Sequence, residues 1–513
     1  MGRVKYAAKN IAMGYVSSLV TAILNFILRT IFIYKLGDTL NGVNGLYTEV
    51  LSMLSLAELG IGTAMNYSLY GPVARGEVEK VKSYMALYRK SYRIIALVIA
   101  GIGLALAPFL PYIIKDPGTL TVRELTIYYL IFLFNTVSTY FVSYKYSLAN
   151  AEQKNYIQTN INMVSKVITI LLQIVVLLVF ENFLLYLLTA AMVELAQKIF
   201  AAFYLNKRYP YLKDKEVEKL EQAEVDEVVK KTKALMLHKI GDTARLQTDS
   251  LIITSFINVT TTGFVTNYNI VISTVSNFVN IIFNSVISSF GNLVATESKE
   301  KQYHIFRVYR FFAIWIYGFF AIGFFTLLTP LVQLWVGPRR ILPGVVINCI
   351  LIDYFLKGER IVLSNFKTAA GVFEQDKYLA MIQGVVNLII SIVLVRKIGL
   401  VGVYIGTIVS GLIANLTKPV IIYKACFDRS AKAYFMDSLK YLPVIGVITA
   451  ICYPIHQFVM AGVSIGRFLV AGILVTIVFH VVFLLCFYRT REMQYILEVF
   501  RRKLKRSSTN SID

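Results

Sequence analysis

Apolar residues in this chain fall in blocks of about twenty, separated by short polar stretches, and about twenty apolar residues are what a helix needs to cross the hydrocarbon core of a bilayer. Fourteen blocks can be read, approximately at residues 10–34, 43–66, 94–114, 124–144, 159–180, 183–204, 237–257, 264–289, 311–329, 341–364, 379–395, 399–422, 441–459 and 466–488. Peptide groups in lipid must be hydrogen-bonded within their own segment, so the blocks predict helices. The period-two alternation of an outer-membrane barrel is absent. The first block, Ile11 to Tyr34, is too long for the apolar region of a signal peptide and lacks a small-residue cleavage site, so it reads as a retained span. The predicted fold class is an all-α polytopic membrane protein of about 14 transmembrane helices.

The polar stretches repeat. AEQKNY at Ala151–Tyr156 returns as FEQDKY at Phe373–Tyr378, and Lys145 returns as Lys367, each 222 residues on. Tyr92–Arg93 matches Tyr309–Arg310 at a shift of 217, and Leu185–Thr189 resembles Val403–Thr407 at 218. Each pair falls at the same place in a unit of six spans. Six is even, so the two units share one orientation, which is the parallel-repeat plan of a secondary transporter with two lobes. The expected organisation is an N-lobe at 1–205, a cytoplasmic linker helix at 206–236, a C-lobe at 237–425, an appended pair of spans at 426–488 and a basic tail at 489–513. The linker mixes charges with spaced Val and Leu, as an amphipathic surface helix does. The tail reads either as a basic interfacial helix on the anionic inner leaflet or as a solvated topogenic segment.

Composition agrees with a bilayer setting: 57% of residues are hydrophobic and 16% charged, with a mean hydropathy of +0.63. The net charge of +22 calls for no nucleic acid once the spans are placed. With the N-terminus inside, inner segments hold 42 of the 52 Lys and Arg residues and outer loops hold eight. That asymmetry puts both termini in the cytoplasm. Residues near span ends, among them Lys198, Arg310, Lys357 and Arg360, are counted with the inner loops. The four cysteines and four histidines are scattered, so no metal, disulfide framework or cofactor is indicated.

Charges inside spans are costly and are functional candidates by default. The seventh span carries Asp242, Arg245 and Asp249 at i, i+3 and i+7, on one helical face. The first carries Arg29 at the corresponding place, the second Glu58, and the sixth the i, i+4 pair Glu194 and Lys198, which reads as self-neutralised. Arg29, Arg245 and Asp249 are expected to line an aqueous lumen, the other reading being structural ion pairs. Buried arginines suit phosphate-type anions, whose geometry the guanidinium fork matches. HExxH and a Walker A loop are absent, and the single GxSxG, GVSIG at Gly462–Gly466, fills a short outer turn rather than a strand–helix elbow. The chain is expected not to be an enzyme. Without a nucleotide-binding domain, its transport must draw on an ion gradient, the membrane potential or the substrate gradient.

These features carry a resemblance. LNFILRTIFIYKLG in the first span, Gly42–Tyr70 after it, TDSLIITSFINVTTTGFVTNYNIV at Thr248–Val271 and GLVGVYIGT at Gly399–Thr407 resemble the MOP flippase superfamily, and within it the bacterial polysaccharide exporters of the Wzx type. The resemblance implies two MATE-like six-helix lobes in a bacterial cytoplasmic membrane. It implies transport of an undecaprenyl-pyrophosphate-linked oligosaccharide by alternating access, for surface polysaccharide synthesis with its assembly proteins. By position it gives Arg29 and Arg245 contact with the pyrophosphate or acidic sugars, and it matches Asp249 to a recurrent aspartate. Glu58 and Asp242, with Glu152 and Glu374 of the repeated blocks, are candidates for gating or for coupling to a proton or sodium ion. A lipid II flippase of peptidoglycan synthesis is the nearest alternative, then a MATE-type drug exporter. A membrane polysaccharide polymerase, an enzyme, would show a large outer loop, and none is present.

Overall fold

The structure, a computed structural model, describes residues 2–55, 61–152, 154–214, 217–230, 232–233, 248–284, 286–372, 374–376 and 378–498. Every regular element among these residues is helical. Among the described residues ten helices are long and apolar enough to cross a membrane. The polar spans expected at 264–289 and 341–364 form helices too, Val259–Asn284 and Gly344–Ala370, but they fall outside those ten because of their polar and charged residues.

The first two expected spans share one element, α1 (Gly2–Leu54), broken at Gly37. The expected outer loop is therefore only a kink. Gly37 has φ 82°, a left-handed value that glycine adopts without a Cβ clash. α2 (Ile61–Arg75) continues the second span. There follow α3 (Val78–Leu106), the single turn α4 (Leu110–Ile113), α5 (Val122–Ala151), α6 (Tyr156–Val179) and α7 (Phe183–Arg208). α5 begins at a capping box in which Thr121 and Glu124 satisfy each other's backbone N–H, and α7 begins where Asn182 accepts from Leu185 N. Such caps satisfy donors that a helix start leaves open. After the linker come α8 (Thr248–Phe256), α9 (Val259–Asn284), α10 (Ile287–Thr296), α11 (Lys299–Val336), α12 (Gly344–Ala370), α13 (Leu379–Ile398), α14 (Leu400–Ile422), α15 (Lys432–Met460) and α16 (Ile465–Phe487).

The chain forms two compact units, residues 1–266 with 380–384, and residues 267–379 with 385–513. The boundary falls inside α9. The first unit is packed around aromatic side chains. Phe32, Tyr128, Phe183 and Tyr186 meet edge to face or stacked at centroid distances of 4.8 to 5.9 Å, contacts of about 0.5–1.5 kcal/mol each beyond area burial. The linker is bound to this unit. Tyr209 and Val228 are buried in its core, with Leu212 and Leu220 packed against it. Lys82 reaches Asp214 at 2.8 Å and Lys80 reaches Glu224. Residues 222–230 are helical, and Val228 is the part of that helix buried against the unit.

The second unit joins the appended pair to α11. Phe311, Ile448, Phe479, Phe483 and Phe487 form one buried cluster, and Trp315 stacks on Phe483. Gly358 lets α12 approach α11 closely, because a Cβ there would lie 2.1 Å from the Tyr317 ring. Arg310 is 2% exposed. Its guanidinium lies 3.4 Å from the Tyr434 ring centroid, and it donates to the Tyr434 carbonyl, to Glu359 at 2.8 Å and to Ser438. Arg360, also buried, donates to the Gly411 carbonyl at 2.9 Å and to Asn415 Oδ1 at 2.6 Å. Both charges are counted above with the inner loops as residues near span ends. They lie inside helices because α11 and α12 run for 38 and 27 residues, and each finds polar partners on the facing helix.

Candidate functional site

A polar seam runs between the second arm of α1 and the α8–α9 hairpin, all within the first unit. Its sequence cause is simple: α8 and the start of α9 carry Thr248, Asp249, Ser250, Thr254 and Thr260–Thr262 among apolar residues, and such residues avoid lipid when a partner helix can take them. Thr248, Ser250, Thr254 and Thr262 are buried, with the Thr254 and Thr262 hydroxyls 2.7 Å apart.

One end of the seam is closed. Asn41, fully buried, donates to the Gly263 carbonyl at 3.0 Å, and the Thr39 and Thr260 hydroxyls are 3.3 Å apart. The segment after α4 adds backbone pairing: Lys115 N donates to the Thr254 carbonyl, Val259 N donates to the Lys115 carbonyl, and Lys115 Nζ reaches the Phe256 carbonyl. Glycines permit this approach. A Cβ on Gly42 would lie 1.9 Å from the Val259 carbonyl oxygen, and one on Gly263 would lie 2.5 Å from the Asp38 oxygen.

Of the sequence candidates, Asp249 lies on α8 within the seam and Arg29 on the first arm of α1, outside it. Arg29 is eight residues from the Gly37 kink, and Asp249 eight residues from Ile257 at the α8–α9 turn. Each lies about 12 Å along its helix from the closed end. Arg29 sits beside Tyr186, 5.7 Å from the Phe32 ring, and its Nε and Nη2 are buried with no hydrogen-bond partner. Those donors are available to an acceptor, and leaving them unpaired is costly. Asp249 is half-buried. Glu49 on α1 packs beside Ser250 and is a further acidic residue of the seam. Sequence reading named Glu58 in this second span and passed over Glu49.

Glu152 is engaged elsewhere: it accepts from Lys154 at 2.6 Å and from the Tyr209 hydroxyl at 2.8 Å, which ties the first repeated block to the linker. Glu374 opens the single turn Glu374–Asp376 of the second block, where Lys367 pairs with the buried Asp376. Lys145, the match of Lys367, donates instead to Asn206 Oδ1 at 2.8 Å. Lys198 lies 3.8 Å from Glu194 and donates to the Asn135 carbonyl and Ser138 hydroxyl at 2.9 and 2.8 Å, so it is more than a self-neutralised pair. Glu58, Asp242 and Arg245 lie outside the described residues. Among the described residues no three His, Cys, Asp or Glu side chains are grouped to hold a metal ion.

No protein-family model matches the chain, and no curated protein sequence matches it. Its fold is that of solved transporter structures. The lipid II flippase MurJ, in an inward closed conformation, matches with a TM-score of 0.66 at 15% identity, over 93% of this chain and 100% of that one. A multidrug resistance MATE family transporter of the MOP superfamily, inward-facing, matches at 0.59 and 15% identity, over 79% of this chain and 95% of that one. A mutant of the Vibrio cholerae MATE transporter VcmN matches at 0.56 and 16% identity, over 84% and 99%. The shared architecture is an all-α polytopic membrane fold.

Proposed function

We propose that this protein is a flippase, which carries the saccharide headgroup of a lipid pyrophosphate across the bilayer by alternating access. The observations behind this reading are a polar seam closed at one end by backbone contacts and, on the other arm of α1, a buried arginine with open donors, Arg29, in a fold shared with a flippase and with exporters. A charged headgroup cannot cross hydrocarbon unaided, because desolvating even one charge costs several kcal/mol or more. Arg29, with donors left open, and Arg245 would replace lost hydration around the pyrophosphate. Asp249 and Glu49 would meet sugar hydroxyls or a coupling proton or sodium ion, with Glu58 and Asp242 as further coupling candidates. The closure would seal the outer side while substrate loads from the cytoplasm. Glu152, held by Tyr209, would act as a fastener of the linker near the inner gate, and Glu374 would mark the matching place in the second repeat.

Of the two lipid-linked substrates, the peptidoglycan precursor has the better support. The likeness to MurJ takes in 93% of the chain, whereas the MATE structures leave about a fifth unmatched. The oligosaccharide repeat unit of surface polysaccharide is the second reading, favoured by the sequence motifs of the first and seventh spans. The setting would be a bacterial cytoplasmic membrane with both termini inside. Complementation separates the readings. Growth restored to cells depleted of their lipid II flippase supports the first. Surface polymer restored only to cells lacking a repeat-unit exporter returns the second. Rescue of neither, with folded protein in the membrane, overturns both.

A further inference from the structure

The second unit holds a cavity of about 420 Å3 at the turn between α14 and α15, lined by Tyr303, Arg429, Ser430, Lys432, Ala433 and Met436. Its cations differ in their freedom. The Arg429 guanidinium lies 4.5 Å from the Tyr303 ring centroid and donates to both oxygens of Glu300, so it is fixed in place. Lys299 pairs with Asp428 at 3.0 Å. Lys432 makes no ion pair among the described residues; its backbone N–H donates to Ser430 Oγ. The cavity lining carries two cations, Arg429 and Lys432, and no carboxylate; with Arg429 paired to Glu300, the charge of Lys432 is in excess.

The cavity also stands at a particular depth. α15 has 29 residues, about 43 Å of helix, which equals the thickness of a bilayer with its headgroup layers. Its first turn, bearing Lys432, then lies at headgroup level, on the side the basic loops mark as cytoplasmic. From there Met436, Leu439 and Leu442 recur at three-residue spacing, exposed by 50%, 61% and 47%. They form an apolar strip leading from the cavity toward the bilayer centre.

We propose that this cavity binds an anionic phospholipid of the cytoplasmic leaflet, with its phosphate on Lys432 and Ser430 beside the fixed Arg429, and its acyl chains along Met436, Leu439 and Leu442. The excess of positive charge selects an anionic headgroup, and the strip selects a lipid over a soluble phosphate. The proposal requires only that α15 crosses the membrane, so it stands or falls apart from the flippase reading.

Native mass spectrometry of the purified full chain, titrated with phosphatidylglycerol or phosphatidylcholine, tests it. The protein should retain phosphatidylglycerol in preference. Lys432→Ala should weaken that retention about fivefold and Lys432→Glu about 25-fold, following the attraction of one cation near an anionic surface. Lys432→Arg should restore it, which separates charge from fold. Equal retention of the two lipids, or unchanged retention in Lys432→Glu, overturns the proposal. Millimolar inorganic phosphate examines the other source of the same chemistry. If it displaces the lipid while Leu439→Ser leaves retention unchanged, the cavity is a phosphate site and the lipid assignment fails.

Discussion

The closure at Gly42 and Gly263 permits a sharp test of alternating access. Gly42→Ala would place a methyl carbon 1.9 Å from the Val259 carbonyl oxygen, well inside van der Waals contact. The atom it meets is backbone, so no side-chain rotation relieves the clash, and α1 must separate from the α8–α9 hairpin. Separation strains the bonds Asn41–Gly263 and Thr39–Thr260, each worth about 0.5–1.5 kcal/mol. Overpacking of this kind costs about 1–3 kcal/mol, and a shift of that size changes a two-state equilibrium about 5- to 150-fold. If this contact is the outer seal, the closed state bears the cost, since opening would carry the Val259 carbonyl away from residue 42. Ser250→Cys, in a background whose four native cysteines are replaced by Ala, supplies a reporter that is buried behind the closure. A membrane-impermeant maleimide added from outside should label it faster in Gly42→Ala by that factor. Gly101→Ala, with nothing within 4 Å of its new Cβ, should leave the rate unchanged. Equal labelling in Gly42→Ala and its parent, at normal abundance, would refute the idea that this contact is the outer seal.

Other expectations follow from buried charge. Arg29→Met should lower flipping at least about tenfold while keeping or raising the melting temperature, since removing a buried cation with unpaired donors relieves a desolvation cost; a melting temperature that falls with activity would make Arg29 a structural residue. Arg310→Met should destabilise the second unit by about 3–5 kcal/mol, because Glu359 is left buried without its cation. Adding Glu359→Gln should recover most of that loss, measured by thermal unfolding in detergent. Lys80→Ala should change the melting temperature little, because the Lys80–Glu224 pair is partly exposed and such surface pairs are worth about 0–1 kcal/mol. Tyr209→Phe should detach the linker more than that, through loss of its bond to Glu152, and faster proteolysis near residues 214–220 would record it.

The linear pattern of this chain determined which segments cross a membrane and which of them are too polar to face lipid throughout. Spans of twenty apolar residues have one answer in a bilayer, a helix, so the helices at Tyr156–Val179, Leu379–Ile398 and Ile465–Phe487 were legible from composition. The charges Asp242, Arg245 and Asp249 on one face of the seventh span likewise pointed away from lipid before any contact was known. Only the tertiary structure decided partners. Arg93 and Arg310 occupy matching places in the repeat, yet Arg93 is exposed and Arg310 is stacked on Tyr434 and bonded to Glu359. Lys145 and Lys367 match too, and reach an asparagine and an aspartate from different parts of the chain. The physical reason is that lipid gives helices no hydrophobic push toward one another. Which helix meets which is settled by close packing at positions such as Gly42, Gly263 and Gly358 and by hydrogen bonds across the contact. Those depend on three-dimensional fit, which a hydropathy pattern does not encode.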